Sequence, residues 1–242
     1  MKTSISLLII MFLFGGINLN AQKFSIPLEG FSKQKAAYLT MEDGTLFEGT
    51  LSGFKRTKGL IETVKMKDKD GEKLKIDPSK INFMYLAPSD LAKFGAALEQ
   101  INSVNNWDKE NNNDIDADLM KDGYVYFEKV LTQVKKKKIE DLMLQLMNPS
   151  FSEKIKVYHD PFAKETMSLG VGGLTLVGGL DKSYYVKKEN DKGAYRLYKK
   201  DYKEQFEILF GDCPDFMAKY GEKISWSDFE EHVNAYTEMM SK

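Results

Sequence analysis

The sequence predicts an α+β protein, with a small N-terminal β-barrel, a second β-rich unit, and short C-terminal helices packed on the sheet. Three observations carry that expectation. Short strand-like runs separated by Asp-Gly turn signals fill residues 36 to 86, a polar stretch rich in Asn and Asp interrupts them, and helical stripes with caps begin at Asp201. With 42% hydrophobic and 12% aromatic residues, the chain carries enough apolar surface to bury a core by packing. An internal disulfide is impossible, because Cys213 is the sole cysteine.

Before the first strand, Lys2 precedes the apolar run Leu7 to Phe14, and Gly15-Gly16 opens a short polar exit ending Asn18-Leu19-Asn20-Ala21. This is the three-part layout of a cleaved secretory signal, residues 1 to 21, and it places the mature protein in the periplasm or outside the cell. The apolar run is shorter than the ~20 residues that span a bilayer, so no transmembrane anchor is expected after cleavage. Without a cysteine behind that run, lipid attachment at the N-terminus is not expected either.

The first unit is read over residues 22 to 102. Ala36 to Met41 and Thr45 to Phe54 flank Asp43-Gly44, and Leu60 to Met66 and Lys73 to Ile76 flank Asp70-Gly71, two pairs suited to the positive φ angles of tight hairpins. Ile81 to Leu86 is a fifth strand, with Ile81, Phe83 and Tyr85 expected on one face. A helix follows, with Ser89 as N-cap and Leu91, Phe94, Leu98 and Ile101 as its stripe. Residues 103 to 122 form the polar loop between the units.

The second unit covers residues 123 to 242. Tyr124 to Val134, Leu142 to Met147 and Ile155 to Tyr158 read as strands, the middle one equally readable as a helix from Ile139. Met167 to Leu180, Lys182 to Lys187 and Ala194 to Leu197 continue the sheet. Asp201 caps a helix with the buried stripe Tyr202, Phe206 and Leu209, and Pro214 starts a second that Gly221 ends. Ser227 and Glu230 form the capping box of a third, with the stripe Phe229, Val233, Tyr236 and Met240.

Two resemblances emerge from these residues. The stretch Asp43-Gly44-Thr45-Leu46-Phe47-Glu48-Gly49-Thr50-Leu51, with Lys75-Ile76-Asp77-Pro78-Ser79-Lys80-Ile81, resembles an SH3-like or Sm-like small barrel. It implies a fold for that part and no RNA chemistry. Across most of the mature chain, Asn20-Ala21-Gln22, Lys156-Val157-Tyr158-His159-Asp160-Pro161, Lys182-Ser183-Tyr184-Tyr185-Val186 and Phe210-Gly211-Asp212-Cys213-Pro214 look like uncharacterised exported proteins of flavobacterium-like Gram-negative bacteria. That likeness implies a location and no catalytic residues.

Candidate chemistry is sparse. Cys213 stands before Pro214 at a helix start, where the dipole favours a thiolate, and His159 with Asp160 could supply a general base. Adjacent strand residues point to opposite faces, which weighs against that pair acting together. His232 borders the last helical stripe, and two isolated histidines do not make a zinc motif. Asp114, Asp116 and Asp118 alternate as in a calcium loop, yet an EF-hand register puts Leu119 at the glycine position and Val125 at the bidentate glutamate. In Gly170 to Gly179, a dinucleotide fingerprint needs glycine at Thr175 and a P-loop needs lysine at Gly179. No cofactor is expected.

With 35 basic against 36 acidic side chains, the overall balance draws the chain toward neither nucleic acid nor an anionic membrane. The run Lys135 to Lys138 is either a solvated hairpin end or a contact for anionic lipid or polysaccharide. The expected function is a non-catalytic binding or structural module of the cell envelope, whose partner is an envelope protein or extracellular ligand. Two alternatives stand beside it: a hydrolase using Cys213 or His159, and a calcium-dependent adhesion module using the Asp114 to Asp118 loop.

Overall fold

The computed structural model describes residues 23–92, 115–163, 170–171, 174–175 and 180–241, so the segment expected to be a signal peptide and most of the glycine-rich stretch lie outside the described residues. The fold is α+β. Strands β1 Ala36–Met41, β2 Leu46–Thr57, β3 Leu60–Lys67, β4 Lys73–Ile76 and β5 Ile81–Leu86 fall where the turn signals place them. They continue into β6 Val125–Lys135, β7 Lys138–Gln145 and β8 Ile155–His159. The short pair β9 Gly170–Val171 and β10 Leu174–Thr175 stands apart, and β11 Ser183–Lys188 and β12 Ala194–Tyr198 complete the set. Among the described residues ten strands form one mixed sheet in the order β4-β3-β2-β1-β5-β6-β12-β11-β8, with β7 paired to β6.

Strand β2 pairs on both edges and carries a bulge. It pairs with β1 through Leu46 to Thr50 and with β3 through Thr50 to Thr57, and the register shifts between Leu51 and Gly53. Gly53 has φ +143, a conformation open only to a residue without Cβ, so the bulge is written at that position.

The expected N-terminal barrel needs correction, since among the described residues the sheet does not close. The outer edge of β5 is taken by β6, with Phe83 opposite Glu128 and Leu86 opposite Val125, while β4 pairs with β3 alone. Burial explains the choice. Val125 and Phe127 of β6 extend the core formed by Leu39, Leu51, Val64, Met66, Met84 and Leu86. By contrast, β4 offers four residues, two of them the exposed Lys73 and Lys75.

Strand β6 joins the two halves of the sheet. One edge carries β7; the other carries β5 near its start and then β12, parallel, with Ala194 beside Thr132 and Tyr195 beside Gln133. A bridge from Leu146 to Tyr158 ties the end of β7 to β8. The segment after Ile139 is therefore strand rather than helix.

Helix α1 Ala117–Lys121 forms inside the stretch expected to be a polar loop, capped by Asp116 and anchored by the buried Met120, whereas α2 Tyr202–Phe210, α3 Pro214–Tyr220 and α4 Phe229–Met240 stand where helices were expected. The last three cover β8, β11 and β12, packing Phe206, Phe210, Phe216 and Phe229 against Ile155, Val157, Val186 and Leu197. Each fully buried ring contributes about 1.5–3 kcal/mol. The caps differ from expectation. Among the described residues neither Asp201 nor Asp228 makes a side-chain cap bond, and 3-10 turns at Lys199–Asp201 and Trp226–Asp228 lead into α2 and α4 instead. Ser225, not Ser227, caps the second of these turns. Met240, expected in the α4 stripe, is exposed. The helix at residue 89 begins as expected, with Ser89 Oγ accepting the Ala92 N–H at 3.2 Å; Phe94, Leu98 and Ile101 lie outside the described residues.

Candidate functional site

Alternation along β1, β5 and β6 divides their side chains between two faces. Leu39, Met84, Leu86 and Phe127 face the N-terminal core, whereas Tyr38, Phe83, Tyr85 and Tyr126 gather on the opposite face. Ile81, expected beside Phe83 and Tyr85, belongs to the core: a register shift at Thr40 and Met41 pairs it with Met41. The outward rings support one another, with centroids 5.1 Å apart for Tyr85 and Tyr126 and 5.7 Å for Phe83 and Tyr126. Helix α1 is pinned onto this face by Met120 and by the Asp116 N–H, which donates to the Tyr85 hydroxyl at 2.7 Å.

Between α1, the start of β2 and the β3–β4 turn lies a groove of about 1000 Å³. Tyr38, Phe47, Phe83 and Tyr85 line it together with Leu46 and Leu119. Leu46 is 79% exposed, an unusual setting for a large aliphatic side chain. Among the described residues the polar lining is acidic: Glu48, Asp68, Asp70 and Asp116 stand against a single cation, Lys69, whose Nζ lies 3.5 Å from Glu48. Asp68 is fixed by the turn, its Oδ1 accepting the N–H groups of Asp70 and Glu72 at 3.0 and 2.8 Å.

At the end of β8 the residues singled out from sequence are built in differently. Asp160 is 1% exposed and carries a full set of donors: Ser183 Oγ at 2.6 Å, the Phe162 N–H at 3.0 Å, and Arg196 through Nη2 at 3.1 Å with Nε 2.9 Å away. The Arg196 guanidinium also donates to the hydroxyls of Tyr185 at 2.6 Å and Tyr198 at 3.1 Å and stacks on Phe162. This ion pair, with Asp160 buried and Arg196 half-buried, ties β8, β11 and β12 together. His159 points elsewhere, its Nε2 4.0 Å from Asp181, in a cavity of about 50 Å³ shared with Arg56 and Pro161. Burial, assisted by the Arg56 charge, lowers its pKa to about 4 and leaves a neutral ring at neutral pH.

Cys213 is buried in the helix-side core at the start of α3. It lies beside Asp212, which accepts from Lys188 at 2.8 Å, whereas His159 pairs with Tyr184. Tyr184 and Lys188 stand near opposite ends of β11, about 13 Å apart at ~3.3 Å per residue. The structure thus does not bring thiol and imidazole together. His232 is buried as well, with Nδ1 2.6 Å from the Tyr202 hydroxyl. Of the acidic triplet, Asp114 lies outside the described residues and Asp118 is exposed on α1. Asp116 Oδ1 caps α1, accepting from the N–H groups of Asp118 and Leu119. Among the described residues no group of three or more His, Cys, Asp or Glu side chains is placed to hold a metal.

The groove escaped the sequence reading, although a signal was present. Phe83 and Tyr85 alternate, as do Tyr124 and Tyr126, and two alternating aromatic pairs on neighbouring strands make an aromatic face. These features define a sheet protein with an acid-edged aromatic groove, in which Cys213 and His159 stand apart. No family model, curated protein or solved structure matches the chain.

Proposed function

We propose that the protein is an exported, non-catalytic binding module of the cell envelope, and that its ligand occupies the groove beside α1. The observation that carries this reading is the lining itself: among the described residues, four aromatic rings with four carboxylates against one lysine. Ring faces and carboxylates both attract cations, so the groove suits a positive group on an apolar stem. Its volume, at the upper end of small-molecule sites, suits a segment of a partner protein bearing basic and aromatic side chains. The separation of Cys213 from His159, and the filling of Asp160 by Arg196, support a non-catalytic reading over the hydrolase. Among the described residues no helix is long and apolar enough to cross a membrane.

The test uses a labelled short peptide of alternating Lys and Phe, with alternating Glu and Phe as control, read by fluorescence anisotropy. The Lys–Phe peptide binds, and the double change Glu48→Lys, Asp70→Lys on the exposed edge weakens it by about tenfold or more. Equal affinity for both peptides, or no loss in the variant, refutes the groove as the site.

A further inference from the structure

We infer that the end of the sheet bearing the β6–β7 hairpin docks on an anionic lipid surface, independently of the groove. The near-neutral chain concentrates positive charge there. Because β6 and β12 run parallel, with Ala194 beside Thr132, both strands end on the same side. The hairpin tip Lys135 to Lys138 therefore shares that end with Lys199 and Lys200, and β11, antiparallel to β12, starts there behind Lys182, whose carbonyl accepts the Lys199 N–H at 2.9 Å. All seven lysines are exposed, and among the described residues the one ion pair they make joins Lys138 to Glu140 at 2.6 Å. Arg196, just below, is already neutralised by Asp160.

Apolar side chains set among these lysines decide the kind of anion. Ile139 is 62% exposed and Leu131 is 43% exposed, and the hairpin register makes them diagonal neighbours on one face. On the opposite face Phe162 and Tyr198 are each more than a third exposed, with Lys200 Nζ 5.7 Å from the Tyr198 ring. A soluble polyanion would use the lysines alone. A bilayer with anionic headgroups uses both, lysines at the headgroups and aliphatic and aromatic groups at the acyl boundary.

The experiment is co-sedimentation of the mature protein with vesicles of phosphatidylcholine alone or mixed with phosphatidylglycerol, and in parallel its retention on immobilised heparin. Binding is expected to the phosphatidylglycerol vesicles, with little to phosphatidylcholine, and to fall with salt. Lys136→Glu with Lys137→Glu, both on the exposed turn, should lower partitioning at least about tenfold. Ile139→Ser should lower vesicle binding severalfold while leaving heparin retention unchanged. Absence of binding to phosphatidylglycerol vesicles overturns the proposal, as does indifference to the lysine changes. If the lysine changes weaken both but Ile139→Ser weakens neither, the surface is a polyanion site and the lipid assignment is wrong. Unchanged melting temperatures certify that each variant is folded.

Discussion

Asp160 and Arg196 show how one residue's chemistry is decided by a distant partner. Next to His159 in sequence, Asp160 looks like half of an acid–base pair; in the fold its carboxylate is consumed by Ser183, Phe162 and Arg196. A buried charge that loses its partner keeps its desolvation penalty, so Arg196→Ala should destabilise the protein by about 3–5 kcal/mol in urea unfolding. Arg196→Lys retains the charge but loses the planar fork that reaches Asp160, Tyr185 and Tyr198 together, and an intermediate loss is expected. A loss below about 1 kcal/mol for Arg196→Ala would mean that the ion pair does not hold the three strands together.

At the level of elements, local signals were legible and long-range pairings were not. The five N-terminal strands and the stripes of Tyr202, Phe206, Leu209, Phe229 and Val233 follow from periodicity within short windows. The pairing of Leu86 with Val125, and of Thr132 with Ala194, joins residues far apart in the chain, which no window reports. The aromatic groove needed the pairing of Tyr38 with Tyr85, and the Arg196 lock needed the pairing of Tyr185 with Arg196 beside the distant Asp160. One local feature was also hidden. The β2–β3 connection has two residues, Lys58 at φ 51 and Gly59 at φ 84, a turn usually signalled by Asn-Gly, and lysine conceals it. Lys58→Asn should therefore stabilise by about 0.5–1 kcal/mol, raising Tm by a few degrees. Gly59→Ala should do the reverse, because the left-handed angle is strained and the added Cβ would stand 2.7 Å from the Pro161 Cβ. Equal Tm values for both variants would show that this turn does not constrain the hairpin.

At the scale of the whole molecule, the sheet carries one layer of helices over β8, β11 and β12 and the aromatic face on its other side, and the fold holds two neutral histidines away from that aromatic face. His232, on α4, packs among Phe206, Phe210 and Phe216, and burial lowers its pKa; His159 is the last residue of β8, lowered to about 4 by burial and Arg56. Both are harder to protonate folded than unfolded. Between the unfolded value near 6.5 and the lower folded values, the unfolded chain binds more protons, so stability is fully present above about pH 6.5 and falls as the pH drops toward 4. Glu230 acts in the opposite sense, since burial raises its pKa above 4.5, and it softens the decline at the acid end. Asp212 extends the loss to more acid pH, below its ordinary value of 3.8: burial opposes its ionisation, but the hydrogen bonds from Lys188 and Tyr236 prevail and hold it below the usual range. Thermal unfolding between pH 7.5 and 4.5 should show Tm falling through the histidine window, and His159→Gln should flatten that part of the curve because glutamine cannot take up the proton. If Tm stays level from pH 7 to 5 in the unmodified protein, the two imidazoles are not held neutral by burial, and the packing that places Phe206 and Phe216 around His232 is looser than the structure shows.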